Sequence, residues 1–194
     1  MKSLLIIDAQ NDYINPSGVC AKDTSPMDHT RTIQNIRTLI TLFENNHLPI
    51  TWVSMNWPVD IKDQSQVWID QYKKELGNDA PFPVRLGSWG WQVDERLAHF
   101  KKDHHHIVDK KRSSGFFKTN LDVILKDKKV THNYICGFFS HGCVEATARD
   151  STMNDFYTTV VADACGYNDE TLHNNALSVM ASRHNVINTG AVNV

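Results

Sequence analysis

Six short β-rich runs alternate with stretches of helical spacing over most of the chain, and this alternation constrains the fold more than any other feature. Parallel strands need long crossover connections, and helices in those crossovers cover the sheet on both faces. The predicted strands are Ser3 to Ile7, Ile50 to Ser54, His106 to Asp109, Asn133 to Phe138, Tyr157 to Ala162 and Asn185 to Ile187. After Asp28, a residue type that caps helices, Ile33, Ile36, Ile40 and Phe43 recur at three- and four-residue steps and predict a helix to about Asn46. Further helices are expected over 91–100, 119–125 with Thr119 as cap, 143–155 and 169–182. The expected class is α/β, a three-layer α/β/α arrangement. At 194 residues the chain is read as one domain, 1–194, with a core that needs no disulfide or metal staple.

Composition narrows the function classes. A formal net charge of -2 offers no basic excess for nucleic acid. The opening run Leu4 to Ile7 is too short for a signal peptide core or a membrane span, so a cytoplasmic protein is expected. Four cysteines, at 20, 136, 143 and 165, show neither a C-x-x-C pair nor zinc spacing and are read as free thiols. No G-x-G-x-x-G follows the first strand and no P-loop is present, which argues against a nucleotide- or flavin-binding domain. No cofactor is expected.

Residues 56–91 break the rhythm. The segment is too long for a simple crossover and holds Trp57, Trp68, Trp89 and Trp91. Trp68, Tyr72 and Leu76 are spaced as one side of a short helix, so part of it should pack on the body. The rest reads as a lid over a ligand site or as a patch for self-association.

Three residues stand where chemistry is expected. Cys143 follows an apolar strand at the start of a helical stretch, a place that favours thiolate, although a strand-end cysteine can equally be a small buried hydrophobe. Asp8 ends the first strand, as a general base or as the cap of a turn. Lys110 closes the third strand and could reach across its neighbour, or belong with Lys111 and Arg112 to a solvated basic loop. In open parallel sheets ligands bind beyond the carboxyl ends of the strands. All three residues occupy such ends.

The runs Leu4-Leu-Ile-Ile-Asp8-Ala-Gln-Asn-Asp-Tyr13, Gly87-Ser-Trp-Gly90, Val108-Asp-Lys110-Lys-Arg-Ser-Ser114-Gly-Phe116 and Gly137-Phe-Phe-Ser-His-Gly-Cys143-Val-Glu-Ala-Thr-Ala-Arg-Asp150 together resemble the isochorismatase-like cysteine hydrolase family, in order and over nearly the whole chain. The resemblance implies a six-stranded parallel sheet ordered 3-2-1-4-5-6 and a catalytic triad of Asp8, Lys110 and Cys143. Lys110 is preferred to Lys111 because the family's lysine stands four residues before the serine matched by Ser114. A cis peptide between Phe138 and Phe139 is also implied, with the N–H groups of Phe139 and Cys143 forming an oxyanion hole.

Nicotinamidases of the family carry an Asp-x-His metal site with a further His nearby, whereas the corresponding loop reads Asp60-Ile-Lys62 and no histidine occurs between His47 and His99. No metal is therefore expected. Retention of Cys143 favours acyl transfer on a small amide, carbamoyl or ureido group over vinyl ether hydrolysis; a catalytically silent binding protein of the same fold is the other alternative. Arg112 is a candidate to hold a substrate carboxylate and Trp89 to cover an apolar portion. The His104-His105-His106 run is expected to form a turn whose side chains diverge. A small-molecule substrate is expected, and the resemblance allows a homo-oligomer.

Overall fold

The computed structural model describes residues 1–21 and 28–194. Its six strands are β1 (Lys2–Ile7), β2 (Ile50–Met55), β3 (His106–Lys110), β4 (His132–Gly137), β5 (Tyr157–Cys165) and β6 (Asn185–Ile187). All pairings are parallel, in the order β3-β2-β1-β4-β5-β6. The chain winds outward from β1 to β3, then returns to β4 on the other side. The strand order reverses between β1 and β4, which opens a crevice beyond their carboxyl ends.

Period-two alternation along β1 explains the two-sided core. Leu4 and Ile6 pack against Ile36, Leu39 and Phe43 of α2 (Thr30–Asn45), whereas Leu5 and Ile7 face Leu121 and Leu125 of α5 (Leu121–Asp127) and Ala148 of α6 (Glu145–Met153). Of the remaining helices, α1 (Asn11–Ile14), α3 (Gln66–Leu76) and α4 (Glu95–Ala98) precede β3, and α7 (Glu170–Ala181) precedes β6. No helix among the described residues is long and apolar enough to cross a membrane.

Helix ends differ from the expected ones where side chains redirect the backbone. Asp28 accepts a hydrogen bond from Thr30 N at 2.9 Å, so α2 begins after it rather than at it. The helix expected over 91–100 shrinks to α4, because Gln92 and Val93 are tied to the chain after β1 and Asp94 starts the helix by accepting from Arg96 N. Thr119 accepts from Leu121 N at 3.2 Å, which moves α5 two residues onward.

The tryptophan-rich segment packs on the body. Trp57 is buried in a cluster with Tyr72 and Phe82, ring centroids 4.8–5.1 Å apart. Within α3 the side chain of Leu76 lies outside the described residues. The carboxamides and carboxylate that follow β1 hold the segment down. Gln10 donates to Met55 O and Trp91 O, Asn11 donates to Trp89 O, and Asp12 accepts from Val84 N at 2.6 Å. A Cβ on Gly90 would stand 1.9 Å from the Asp12 carboxylate, so this close approach requires glycine.

Candidate active site

Asp8 follows β1 directly. Its φ of 48° is left-handed, a region that aspartate tolerates better than most residues, and the turn aims the carboxylate away from the strand. Oδ1 accepts from Met55 N at 2.7 Å, and the side chain has no exposure. Lys110, the last residue of β3, is also fully buried and reaches across β2, so that Nζ lies 2.7 Å from Asp8 Oδ2. The same ammonium donates to Cys143 Sγ at 3.1 Å and to Arg112 O at 3.2 Å. Its three donor directions are thereby used.

Cys143 arrives by a tighter path than a simple helix start. Gly137, with φ of 123°, ends β4 where a Cβ would meet Ile7 O at 2.1 Å, so only glycine lets β4 lie this close to β1. The Phe138–Phe139 peptide that follows is cis. Residues Ser140–Val144 then form a π-helical turn, with Val144 N donating to Phe139 O at 3.2 Å, and α6 continues from Glu145. Such turns recur at functional sites because they reposition one residue without ending the helix. Thr147 fixes the turn from below. Its hydroxyl donates to Cys143 O at 2.7 Å and accepts from Gly115 N at 3.0 Å, joining α6 to the loop after β3. The Phe139 N–H donates to no backbone acceptor among the described residues.

The electrostatics correct one expectation. A helix N-terminus and a neighbouring ammonium were expected to favour thiolate, but burial, followed by the charge of Asp8, pushes the Cys143 thiol up to about 12 against the lowering by Lys110. Burial by itself pulls the Lys110 ammonium down, and the attraction of Asp8 and Cys143 more than reverses that, leaving it above the usual lysine value. At rest the ammonium therefore stands beside a neutral thiol. Cys20, Cys136 and Cys165 are buried and their thiols are also pushed up, chiefly by burial. Cys143 differs from them in being half-exposed.

Cys143 opens into a cavity of about 790 Å³. Met55, Tyr13 and Phe139 surround the thiol end, and Tyr13 meets Phe139 edge to face with centroids 5.6 Å apart. Trp57, Trp68 and Tyr72 make an aromatic wall, and Leu172, Ala176 and Val179 of α7 make an aliphatic one. The structure places neither expected substrate contact in this lining. Trp89 is 49% exposed on the outer surface, with its carbonyl held by Asn11. The Arg112 guanidinium donates to Gln64 Oε1, Ser65 Oγ and Lys111 O, and lies 5.3 Å from the Trp68 ring centre. Three of its five N–H donors are engaged there, at the N-terminus of α3, where it braces the aromatic wall. The lining residues that the sequence reading passed over are Tyr13, His141 and Glu75. His141 lay inside a quoted motif; Glu75 carried no local signal.

One further group has metal-ligand types in reach, and it corrects the expectation of diverging imidazoles. Residues 103–105 form the expected turn, but it lets His104 and His105 both approach Glu44 Oε1, at 3.2 and 2.6 Å. His105 Nδ1 already accepts from Trp52 Nε1 at 3.0 Å and Lys102 N at 3.2 Å. Its proton must then sit on Nε2 and donate to Glu44, which leaves no ring lone pair for an ion. This group braces the amino-terminal edge of the sheet.

The sequence matches the family model described as Isochorismatase domain over residues 2–191. Among solved structures, an isochorismatase family protein from Desulfovibrio vulgaris superposes with a TM-score of 0.83 at 21% identity, covering 98% of this chain and 95% of that one. N-carbamoylsarcosine amidase from Thermoplasma acidophilum gives 0.78 at 22% identity, with 100% and 99% covered. Pyrazinamidase of Pyrococcus horikoshii in complex with zinc gives 0.76 at 24%, with 96% and 98% covered. These likenesses establish the fold.

Proposed function

Because the chain belongs to the isochorismatase family, we propose that residues 1–194 form one hydrolase domain that cleaves a small amide, carbamoyl or ureido C–N bond through an acyl-enzyme on Cys143. The observation that carries this reading is the meeting of Lys110 Nζ with Asp8 Oδ2 at 2.7 Å and Cys143 Sγ at 3.1 Å beside one cavity. The amidase and pyrazinamidase among the similar folds point to the same bond class.

The proton inventory follows from the charges. A thiol pushed up to about 12 does not ionise in advance, so its proton passes to Asp8 as sulfur attacks the carbonyl carbon. That transfer moves one negative charge from carboxylate to sulfur, and the Lys110 ammonium is in contact with both. The trio is neutral overall before and after, which keeps the buried transfer electrostatically inexpensive. The carbonyl oxygen, now an oxyanion, is received by the N–H groups of Phe139 and Cys143, each such donor contributing about 3 kcal/mol to the barrier reduction. Collapse breaks the C–N bond, and Asp8 returns its proton to the departing nitrogen. Water then attacks the thioester, gives its proton through Asp8, and releases the acid with the thiol restored.

Hydrolysis should be detected by ammonia release in a screen of small amides, ureido acids and carbamoyl amino acids. Mass spectrometry of the protein quenched during turnover should show an acyl adduct on the peptide containing Cys143. A Cys143→Ala protein that hydrolyses the best substrate as fast as wild type would end this mechanism.

A further inference from the structure

The inner face of α3 carries chemistry that the reaction does not use. Trp68, Gln71, Tyr72 and Glu75 fall at i, i+3, i+4 and i+7, so they share one side of the helix, and all four line the cavity that Cys143 opens into. Glu75 has no hydrogen-bond or ion-pair partner among the described residues. Two other charged side chains line the cavity, Glu145 and Arg149, and they neutralise each other at 2.7 Å. Among the described residues, the unbalanced charge facing the cavity is therefore negative. Asp12, buried behind the same wall with backbone N–H groups of Val19 and Val84 as its partners, adds a second carboxylate nearby.

Two features suit that charge to a ligand cation. Glu75 stands in the last turn of α3, where the carbonyl end of the helix adds negative potential, and Lys73 and Lys74 of the same turn are outside the cavity lining. Trp68, which already carries the Arg112 guanidinium over its ring, and Tyr72 line the wall beside it, and an alkylated ammonium gains from aromatic rings as well as from a carboxylate. Desolvation at the cavity wall raises the Glu75 carboxyl above its usual value although the side chain keeps contact with solvent, and no cation among the described residues pairs with it. A positively charged group arriving there would relieve that cost.

We infer that α3 forms a cation subsite, and that the substrate is an amide whose far end carries a positive charge, held by Glu75 between Trp68 and Tyr72 while its carbonyl lies at Cys143. This rests on the amide hydrolase reading and reverses the expectation of a substrate carboxylate on Arg112.

Binding can be measured apart from turnover. The full chain carrying Cys143→Ala is titrated with butanamides that end in trimethylammonium, tert-butyl or carboxylate groups, following tryptophan fluorescence and heat. The trimethylammonium amide should bind about tenfold tighter than its tert-butyl isostere, and the carboxylate weakest. With Glu75→Gln the cation-to-isostere ratio should fall to about twofold or less, and with Glu75→Lys the order of cation and carboxylate should invert. Equal affinities in the unsubstituted subsite, a cation preference that survives Glu75→Gln, or no binding of any of the three would overturn the subsite. Failure of the catalytically intact protein to hydrolyse any amide, with the binding order as expected, would instead overturn the hydrolase reading and leave the subsite standing.

Discussion

Two clusters of similar composition stand at opposite edges of the same sheet. At the carboxyl edge Asp8, Lys110 and Cys143 gather a carboxylate, a cation and a nucleophile; at the amino edge Glu44, His104 and His105 gather a carboxylate and two imidazoles. Closeness of reactive side chains does not separate them, since both have contacts of 2.6–2.7 Å. What separates them is unused capacity beside a space. His105 has both ring nitrogens committed, to Trp52 and Lys102 on one side and Glu44 on the other. Cys143 keeps its sulfur open to a cavity of about 790 Å³, with an ammonium in contact and a carboxylate behind it. Cluster composition shows where charge is held, and the open valence shows where bonds can change.

Removing the cation from the first cluster should give the largest effect. Lys110→Met leaves the fully buried Asp8 carboxylate without its partner, which is expected to cost about 3–5 kcal/mol in stability, read from the denaturant midpoint. Turnover should drop by roughly a thousandfold or more, because the negative charge then has no counter-ion on either atom. Adding Asp8→Asn to that variant should restore most of the stability and none of the activity. A Lys110→Met protein as stable as wild type would break the contrast between the two edges.

The next effect concerns the proton on sulfur. With the thiol pushed up to about 12, Cys143 is protonated near neutrality and its thiolate fraction grows with every increment of pH. Its alkylation by iodoacetamide should therefore climb about tenfold per pH unit from roughly pH 7 to 9, without the levelling that an ordinary thiol approaches near 8.5. Access makes Cys143 the fastest of the four thiols even so, since Cys20, Cys136 and Cys165 are buried. Peptide mapping of the alkylated protein at each pH reads both points. A plateau near neutrality would show a resting thiolate instead.

That reversal shows what is legible in a sequence and what is not. Strand runs and their apolar alternation are local, so the sheet, its helices and the strand-end positions of Asp8, Lys110 and Cys143 could be read directly. Helix-terminal stabilisation of a thiolate is also local, but the burial that outweighs it at Cys143 comes from elements distant in the chain. Arg112 shows the same limit. Two of its five N–H donors bond Gln64 and Ser65, 48 and 47 residues away, partners that only the tertiary fold reveals. In α3 the apolar stripe Trp68, Tyr72, Leu76 gave the helix, whereas the cavity faces Trp68, Gln71, Tyr72 and Glu75, a mixed face invisible to a pattern that scores only apolar positions.

The smallest expected effect lies at the amino edge and completes the comparison. Glu44→Gln keeps an oxygen that can accept from His105 Nε2–H and removes the charge from that bond and from the contact with the exposed His104. Losing charge assistance while keeping the bond should cost about 1 kcal/mol. Five residue steps along β3 separate His105 of this brace from Lys110 by ~16 Å, and none of the three residues lines the cavity, so kcat and KM should stay at wild-type values. Isotope-resolved NMR of the His105 ring should still show the proton on Nε2, because Trp52 Nε1 and Lys102 N continue to occupy Nδ1. If instead Glu44→Gln abolished turnover, or the ring proton moved to Nδ1, the amino edge would be carrying more than structure and the distinction by open valence would fail.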